Sequence, residues 1–590
     1  MTKDLPRFIL IGLIGALLIV LLKQWVSYSA AYDQKIAERQ RPEPLPDIGL
    51  PETLNNTESA VPTDIAPVKH NATTVLTQDF PSAEPLDSPA LENNGTTNGQ
   101  RIIRVKTDTL IVDIDRRGGD IVSVKLRQHL QTIDAKDPFV LLERNTQRTY
   151  IAQSGLIGPN GTDSRSGRAV FTSAYSSYTM NNEPALNVDL VYHGSTGIVL
   201  TKRFHFRAND HLIDVSYIID NHSSEQWQAT FYSQINRDSS EDPGANDIGF
   251  GVRSYLGAAT TNEESPYEKI SFDDIEETPY RHQQTGGWVA MLQHYFVSAW
   301  IPSDKQQHSY FTKKSKSGLN IIGFTSAPTV VEPGESASVG AHFYAGPKNQ
   351  YRLKEIAPHL DLTVDYGWLW WISQPLYTLL YFFATGDFHA FDKVFSVGFG
   401  VGNWGVAIIL LTVVIKLAFF RLSAASYRSM ANMRRVQPKM LAIRERHGDD
   451  KQAQSKAMME LYQKEKINPL GGCLPILIQM PVFIALYWAL IESVELRHAP
   501  FFLWINDLSV MDPWFVLPVI MGATMWMQQR LNPAPPDPMQ AKVMQWMPIV
   551  FTFFFLWFPA GLVVYWISNN VLSIAQQWVI TRQIEKADAN

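Results

Sequence analysis

Residues 404–421 of this chain read WGVAIILLTVVIKLAFFR, and no other stretch limits its fold as tightly. The run is long and apolar enough to enter a bilayer, yet it holds Lys416 inside its apolar part. A lysine at the centre of a membrane helix costs roughly 2.5–3.5 kcal/mol on insertion scales, so such a residue either serves a function or escapes to the interface. Thr412 precedes it by one helical turn, which puts both on one helix face. Arg421 follows after about 7–8 Å of helical rise, so the lysine stem also has headgroups within reach. Snorkelling and function both stand open on this helix alone.

The chain has 590 residues, too many for one ordinary domain. Its net charge of −6 is unevenly placed: residues 24–360 are polar, whereas 366–580 are rich in Trp, Phe, Leu and Met. The single cysteine, Cys473, rules out an intrachain disulfide and a cysteine metal cluster. Its place at the start of an apolar run suits a small buried side chain.

Lys3 and Arg7 precede an apolar run from Phe8 to Leu22, and the small residues Ser29 and Ala31 lie too far beyond it for a cleavage site. Residues 1–23 are therefore expected to be an uncleaved membrane anchor with a cytoplasmic N-terminus. Residues 24–100 follow as a linker. Prolines recur from Pro42 to Pro89 among acidic and small polar residues, which bury too little apolar surface to offset their ordering entropy.

Residues 101–350 read as β structure. Leu110, Val112 and Ile114 alternate with polar residues, Gly118 and Gly119 supply a turn, and Ile121, Val124 and Leu126 follow. Strand-like runs recur at 198–206, 211–219, 229–235, 288–301, 319–325 and 336–345, which predicts a large β-sandwich. His205, His211, Asp214, Asp242, Glu263 and Glu264 show neither metal nor catalytic spacing and read as scattered surface polarity.

Residues 365–383 are dense in aromatics, with Trp368, Trp370, Trp371, Tyr377 and Tyr381 beside Pro375. Further apolar spans follow at 474–494, 513–529, 543–558 and 561–580. Residues 422–470 carry ten Lys/Arg against five Asp/Glu, which places them in the cytoplasm by the positive-inside rule. That orientation makes 365–383 an interfacial amphipathic helix on the outer face. It leaves six spans with both termini inside: the anchor and five spans within 398–580, ahead of a short cytoplasmic tail at 581–590. Residues 422–470 have helical periodicity broken at Gly448, Asp449 and Asp450, the pattern of a helical hairpin. Met430, Met433, Met440, Met458 and Met459 give it adaptable apolar positions that either bind emerging peptides or a ribosome, or pack together.

Other spans carry polar residues too. Gln479 lies near the inner end of the third span, and Thr524 and Gln528 share a face of the fourth. Tyr565, Asn569, Ser573, Gln576 and Gln577 recur at helical spacing in the last, a stripe suited to bridging helices. Glu492 is the one acidic candidate partner for Lys416, but it lies at the opposite end of its span. A water-filled cavity open to the cytoplasm would keep Lys416 charged at low cost and attract an acidic segment. No GxxxxGK[ST] loop is present, so no ATP site is expected; nor is any catalytic residue, metal or cofactor expected.

NPLGGCLPILIQMP at 468–481, DPMQ at 537–540, FFLWFPAGLVVYW at 554–566 and GNWGVAIILLT at 402–412 closely resemble the YidC/Oxa/Alb family of membrane protein insertases. The order of segments matches as well. The resemblance implies a polytopic α-helical membrane protein of the bacterial inner membrane, with a periplasmic β-supersandwich and a five-helix core around a hydrophilic groove. It implies a groove of Lys416, Thr412, Gln479, Tyr565 and Trp566, with Lys416 where the family usually has arginine and Trp566 where it has a tyrosine. It also implies a cytoplasmic hairpin, here with Arg434, Arg435, Met430, Met433, Met458 and Met459. The implied activity is insertion and chaperoning of nascent membrane proteins into the lipid bilayer, alone or with the Sec translocon, with ribosomes as partners and no specific nucleic acid. The tail, IEKADAN, lacks the basic cluster of many relatives. A secondary transporter using Lys416 as a substrate or proton site is the alternative, although no repeat between halves or paired acidic residues supports it.

Overall fold

The computed structural model describes residues 101–164, 167–194, 196–243, 254–390, 393–448, 450–465, 474–532 and 538–589. The expected anchor, the linker and Cys473 lie outside them. Period-two alternation builds the N-terminal half. In Ile198–Arg207, for example, every second residue is buried. One sheet has ten strands, in the order Arg281–Thr285, Gln307–Lys314, Asn320–Val331, Trp227–Arg237, Thr149–Ile157, Pro138–Arg144, Asp120–Leu130, Leu110–Asp115, Ile102–Lys106 and Ser177–Thr179. The second has nine: Glu268–Ile270, Gly257–Thr260, Val289–Leu292, Phe296–Pro302, Ser336–Pro347, Leu212–Asn221, Ile198–Arg207, Ala185–His193 and Thr172–Ser173. The two sheets share one core, with Val112, Leu141, Tyr150 and Phe231 from the first meeting Leu200, Phe204, Val215 and Phe343 from the second.

The expected first hairpin is present, with Leu110 opposite Leu126 and Ile114 opposite Ile121. Its turn needs glycine. Gly119 has φ of 64°, and a Cβ there would lie 2.7 Å from Cδ of Lys202. Lys202 is fully buried, donates to the carbonyls of Gly118 (3.0 Å) and Ser154 (3.1 Å), and is pulled down to about 7 by burial. Beside it Arg168 pairs with Asp163 at 2.9 Å and with Asp120.

Residues 288–301 depart from the expected single strand. They form a hairpin, Val289–Leu292 against Phe296–Pro302, turning at Gln293, His294 and Tyr295. Val289, Met291, Phe296 and Trp300 face the inter-sheet core, whereas Ala290, Leu292, Val297, Ala299 and Ile301 face a second core on the sheet's other side. Burial on both faces makes the run continuously apolar and hides the turn from a periodicity reading.

Ten helices are described. α1 (Phe272–Glu277) sits within the β domain and α2 (Gln350–Ile356) follows the last large strand. α3 (Trp370–Thr385) buries Leu376 and Leu380 against the helices and Tyr377 toward the β domain, and leaves Trp370 and Trp371 exposed. α4 (Trp404–Ala418) starts at Asn403, whose side chain accepts from Val406 N at 3.0 Å. The expected continuous span 404–421 is instead broken: α4 ends at Ala418, and α5 (Phe420–His447) leaves at a 68° bend. α4 is thus about 22 Å long, short of a hydrocarbon core of about 30 Å. No single helix among the described residues is long and apolar enough to cross a membrane, but the bent pair α4–α5 meets that test together.

α5 and α6 (Lys451–Lys464) form the hairpin, divided after Gly448 and capped by Asp450. Val436 and Met440 are buried in it, with Met433, Met458, Leu461 and Tyr462 packed around them. α7 (Leu474–Glu492), α8 (Val516–Leu531), α9 (Pro538–Phe554) and α10 (Ala560–Ala589) complete the bundle. Residues 581–589, expected as a tail, continue α10.

The β domain and the bundle meet at the end of α7. The Lys348 ammonium pairs with Glu492 at 2.9 Å, both side chains being 3% exposed. The same lysine donates to the Thr363 carbonyl, and the Ser254 hydroxyl donates to Glu492. His294 Nε2 hydrogen-bonds the Ile491 carbonyl at 2.9 Å. Arg497 donates to the carbonyls of Leu130 (2.7 Å) and Gln131 (3.0 Å). Leu212, Trp288 and Tyr344 of the β domain share their second core with Tyr377 of α3 and Ala489 of α7.

Breaking a buried ion pair from one side strands a charge and costs about 3–5 kcal/mol, whereas apolar replacement of both partners is close to neutral. Lys348→Met and Glu492→Leu should each lower the unfolding midpoint of the detergent-solubilised protein, and the double variant should regain most of the loss. A loss in the double variant equal to the sum of the two single losses would show that the pair does not couple the two parts. Burial also lowers His294 from 6.5 to about 4, so the folded state holds it neutral where the unfolded chain would protonate. Its contribution is complete above 6.5 and is lost as pH falls from there toward 4. Thermal melts across that window should flatten in His294→Gln relative to the parent.

Candidate functional site

Packing of α4 against α10 creates the site. Lys416 lies in the last turn of α4, on the face that carries Thr412, at the end away from the β domain. It is 7% exposed. Its ammonium donates to the Ser573 hydroxyl at 2.7 Å, and that hydroxyl donates to the Asn569 carbonyl one turn back at 2.6 Å. Among the described residues no carboxylate pairs with Lys416. Glu492, weighed from the sequence, is engaged by Lys348 instead. Just past the bend, Gln576 of α10 donates to the Phe420 carbonyl at 3.4 Å, at the first turn of α5.

Thr412 is fully buried, and its hydroxyl donates to the Ile408 carbonyl of its own helix at 2.7 Å. Tyr565 and Trp566 lie about two turns from Ser573 along α10. Both meet Phe483 of α7: Tyr565 stacks on it at 6.1 Å, and Trp566 meets it edge-on at 4.7 Å. Phe555 packs on Trp566 at 5.1 Å, and the buried indole N–H has no acceptor among the described residues. Gln479 is half-buried on α7, one turn before Phe483. The sequence reading missed Phe483, whose only signal is its place one turn from both Gln479 and Tyr487 in an apolar helix.

The polar stripe of α10 bridges helices as its spacing suggested. Asn570 donates to the Thr524 hydroxyl at 3.1 Å, and Gln577 donates to the Leu531 carbonyl and to Asn532. The hairpin residues stand apart from this cluster. Arg434 is exposed and donates to the Arg530 carbonyl at the end of α8, and Arg435 is exposed beside it. Met430 packs with Tyr427 and Ile580, Met433 and Met458 pack inside the hairpin, and Met459 points outward. In the β domain His205 bonds Asn187, Asp214 bonds His342 and Arg207, and Asp242 bonds Arg237. No group of three His, Cys, Asp or Glu able to hold a metal occurs among the described residues.

Two family models match the chain. The YidC periplasmic domain covers residues 102–379, and the 60Kd inner membrane protein family covers 396–587. Relatives named membrane protein insertase YidC include one from Cellvibrio japonicus, 54% identical over 87% of this chain and 90% of that protein. Another, from Alcanivorax borkumensis, is 51% identical over 90% and 95% of the two chains. A solved structure of an active YidC insertase is 16% identical, with a TM-score of 0.35, over 81% of this chain and 92% of that one. With these matches along nearly its whole length, the chain belongs to the YidC family of inner membrane proteins with a periplasmic domain.

Proposed function

We propose that the α4–α7–α10 surface is the path by which this chain inserts nascent hydrophobic segments into the inner membrane. The observation that carries the reading is a buried lysine whose partner is a neutral hydroxyl. Burying a charge without a counter-charge is costly, and a site that keeps one is poised for an anion from outside. Lys416 receives the polar, acidic leading segment of a substrate. Thr412, Gln479, Tyr565 and Trp566 line its way. The apolar segment then passes into lipid, driven by roughly 25 cal/mol per Å² buried. The membrane potential adds about 2.3 kcal/mol per acidic charge per 100 mV. No nucleotide is consumed.

On this reading the chain crosses the membrane six times with both termini in the cytoplasm, and α3 lies along the outer interface with its tryptophans toward lipid. The hairpin, with Arg434, Arg435 and its methionines, faces the cytoplasm and meets ribosome–nascent-chain complexes. The Sec translocon is a second partner. The names carried by the relatives support insertion as the activity.

Reconstitution into ATP-free liposomes with a short acidic-headed membrane protein tests this. Protease protection should require the protein, and Lys416→Glu should slow insertion of that substrate by roughly tenfold or more, the effect of a reversed charge at close range. A neutral-headed version should suffer less. Equal rates for parent and Lys416→Glu on both substrates would remove the charge from the mechanism.

A further inference from the structure

We infer that Ser573 is the positioning residue that holds the Lys416 ammonium in the groove in this chain. The inference rests on the reading that the Lys416 charge receives the substrate. A lysine carries its charge as a point on a flexible stem, whereas an arginine presents a rigid fork of donors. Unheld, the ammonium of Lys416 would swing toward the headgroups near Arg421, since the stem is long enough and that end of the helix is close. Ser573 opposes that motion. Its hydroxyl proton is committed to the Asn569 carbonyl at 2.6 Å, which turns an oxygen lone pair toward the ammonium at 2.7 Å. The serine is itself 2% exposed, so bulk water does not compete for that lone pair. One hydroxyl therefore ties α4 to α10 just before the 68° bend. A carboxylate in its place would neutralise the charge. A hydroxyl fixes its position and leaves its field available.

The test uses the full chain in liposomes and two versions of one short substrate, with an acidic or a neutral leading segment. Ser573→Ala should slow the acidic version by about tenfold, the rate equivalent of one hydrogen bond to a charged group, and leave the neutral version within about twofold. Ser573→Thr, which keeps the hydroxyl, should restore the parent ratio. Lys416→Arg in the Ser573→Ala background should also restore it, because the guanidinium fork needs less help to stay oriented. If Ser573→Ala fails to fold, Ser573→Cys, close in size and a weak acceptor, is measured in its place against the same expectation. An unchanged ratio in the folded variant, or equal slowing of both substrates, overturns the inference. Lys416→Ala separates the two levels of the argument. Loss of acidic preference there but not in Ser573→Ala rejects only the role of Ser573. Retention of the preference in Lys416→Ala rejects the reading of the charge itself.

Discussion

The buried pair between Lys348 and Glu492 is the contact on which the arrangement of the molecule depends. Each ion gives up its hydration, a cost of several kcal/mol that is offset only when geometry is good and the remaining hydrogen-bonding capacity is filled. Here each ion has one further partner: the Thr363 carbonyl accepts from the lysine and the Ser254 hydroxyl donates to the carboxylate. Those partners come from the β domain, from the segment leading to α3 and from α7. The pair forms only when all three are docked in one way. The adjoining apolar core of Trp288, Tyr344, Tyr377 and Ala489 supplies most of the attraction, and the ions specify the register.

That register reaches the cluster of Phe483, Tyr565 and Trp566 through α7. The helix carries Glu492 at the junction and Phe483 and Gln479 farther along, so the docking that satisfies the ion pair also sets where Phe483 meets Tyr565 and Trp566. Lys348 and Lys416 thus make buried contacts of opposite kind. At the β-domain end an ammonium has a carboxylate and serves structure. At the far end an ammonium has a serine hydroxyl and no counter-charge among the described residues. On the proposed function the contrast has a reason, since a neutralised groove would have nothing with which to attract an acidic segment.

Much of this was legible in the residues because periodicity reports burial on one face. The Leu110–Leu126 hairpin and the helical break at Gly448 follow from it directly. The reading failed where that assumption failed. Residues 288–301 are buried on two faces, so alternation vanishes and a hairpin looks like one strand. The span at 404–421 is bent after Ala418, with no glycine or proline at the bend to announce it, and Gln576 of α10 reaches the Phe420 carbonyl just beyond it. The methionines of the hairpin divided among three environments, a distinction that shared chemistry in one periodic segment does not encode.

The sequence by itself determined the classes of structure and their order: alternating strands first, apolar and amphipathic helices after, and one lysine set where an apolar helix does not tolerate an idle charge. It also carried the family in motifs that lie in the helical half. Tertiary structure decided which polar group each charge meets. Ser573 lies 157 residues from Lys416, and Glu492 lies 144 residues from Lys348. Local pattern records what a residue needs, which is burial, a turn or a partner. The partner's identity depends on how separated helices and sheets dock, and that is settled by packing and by desolvation summed over the whole fold.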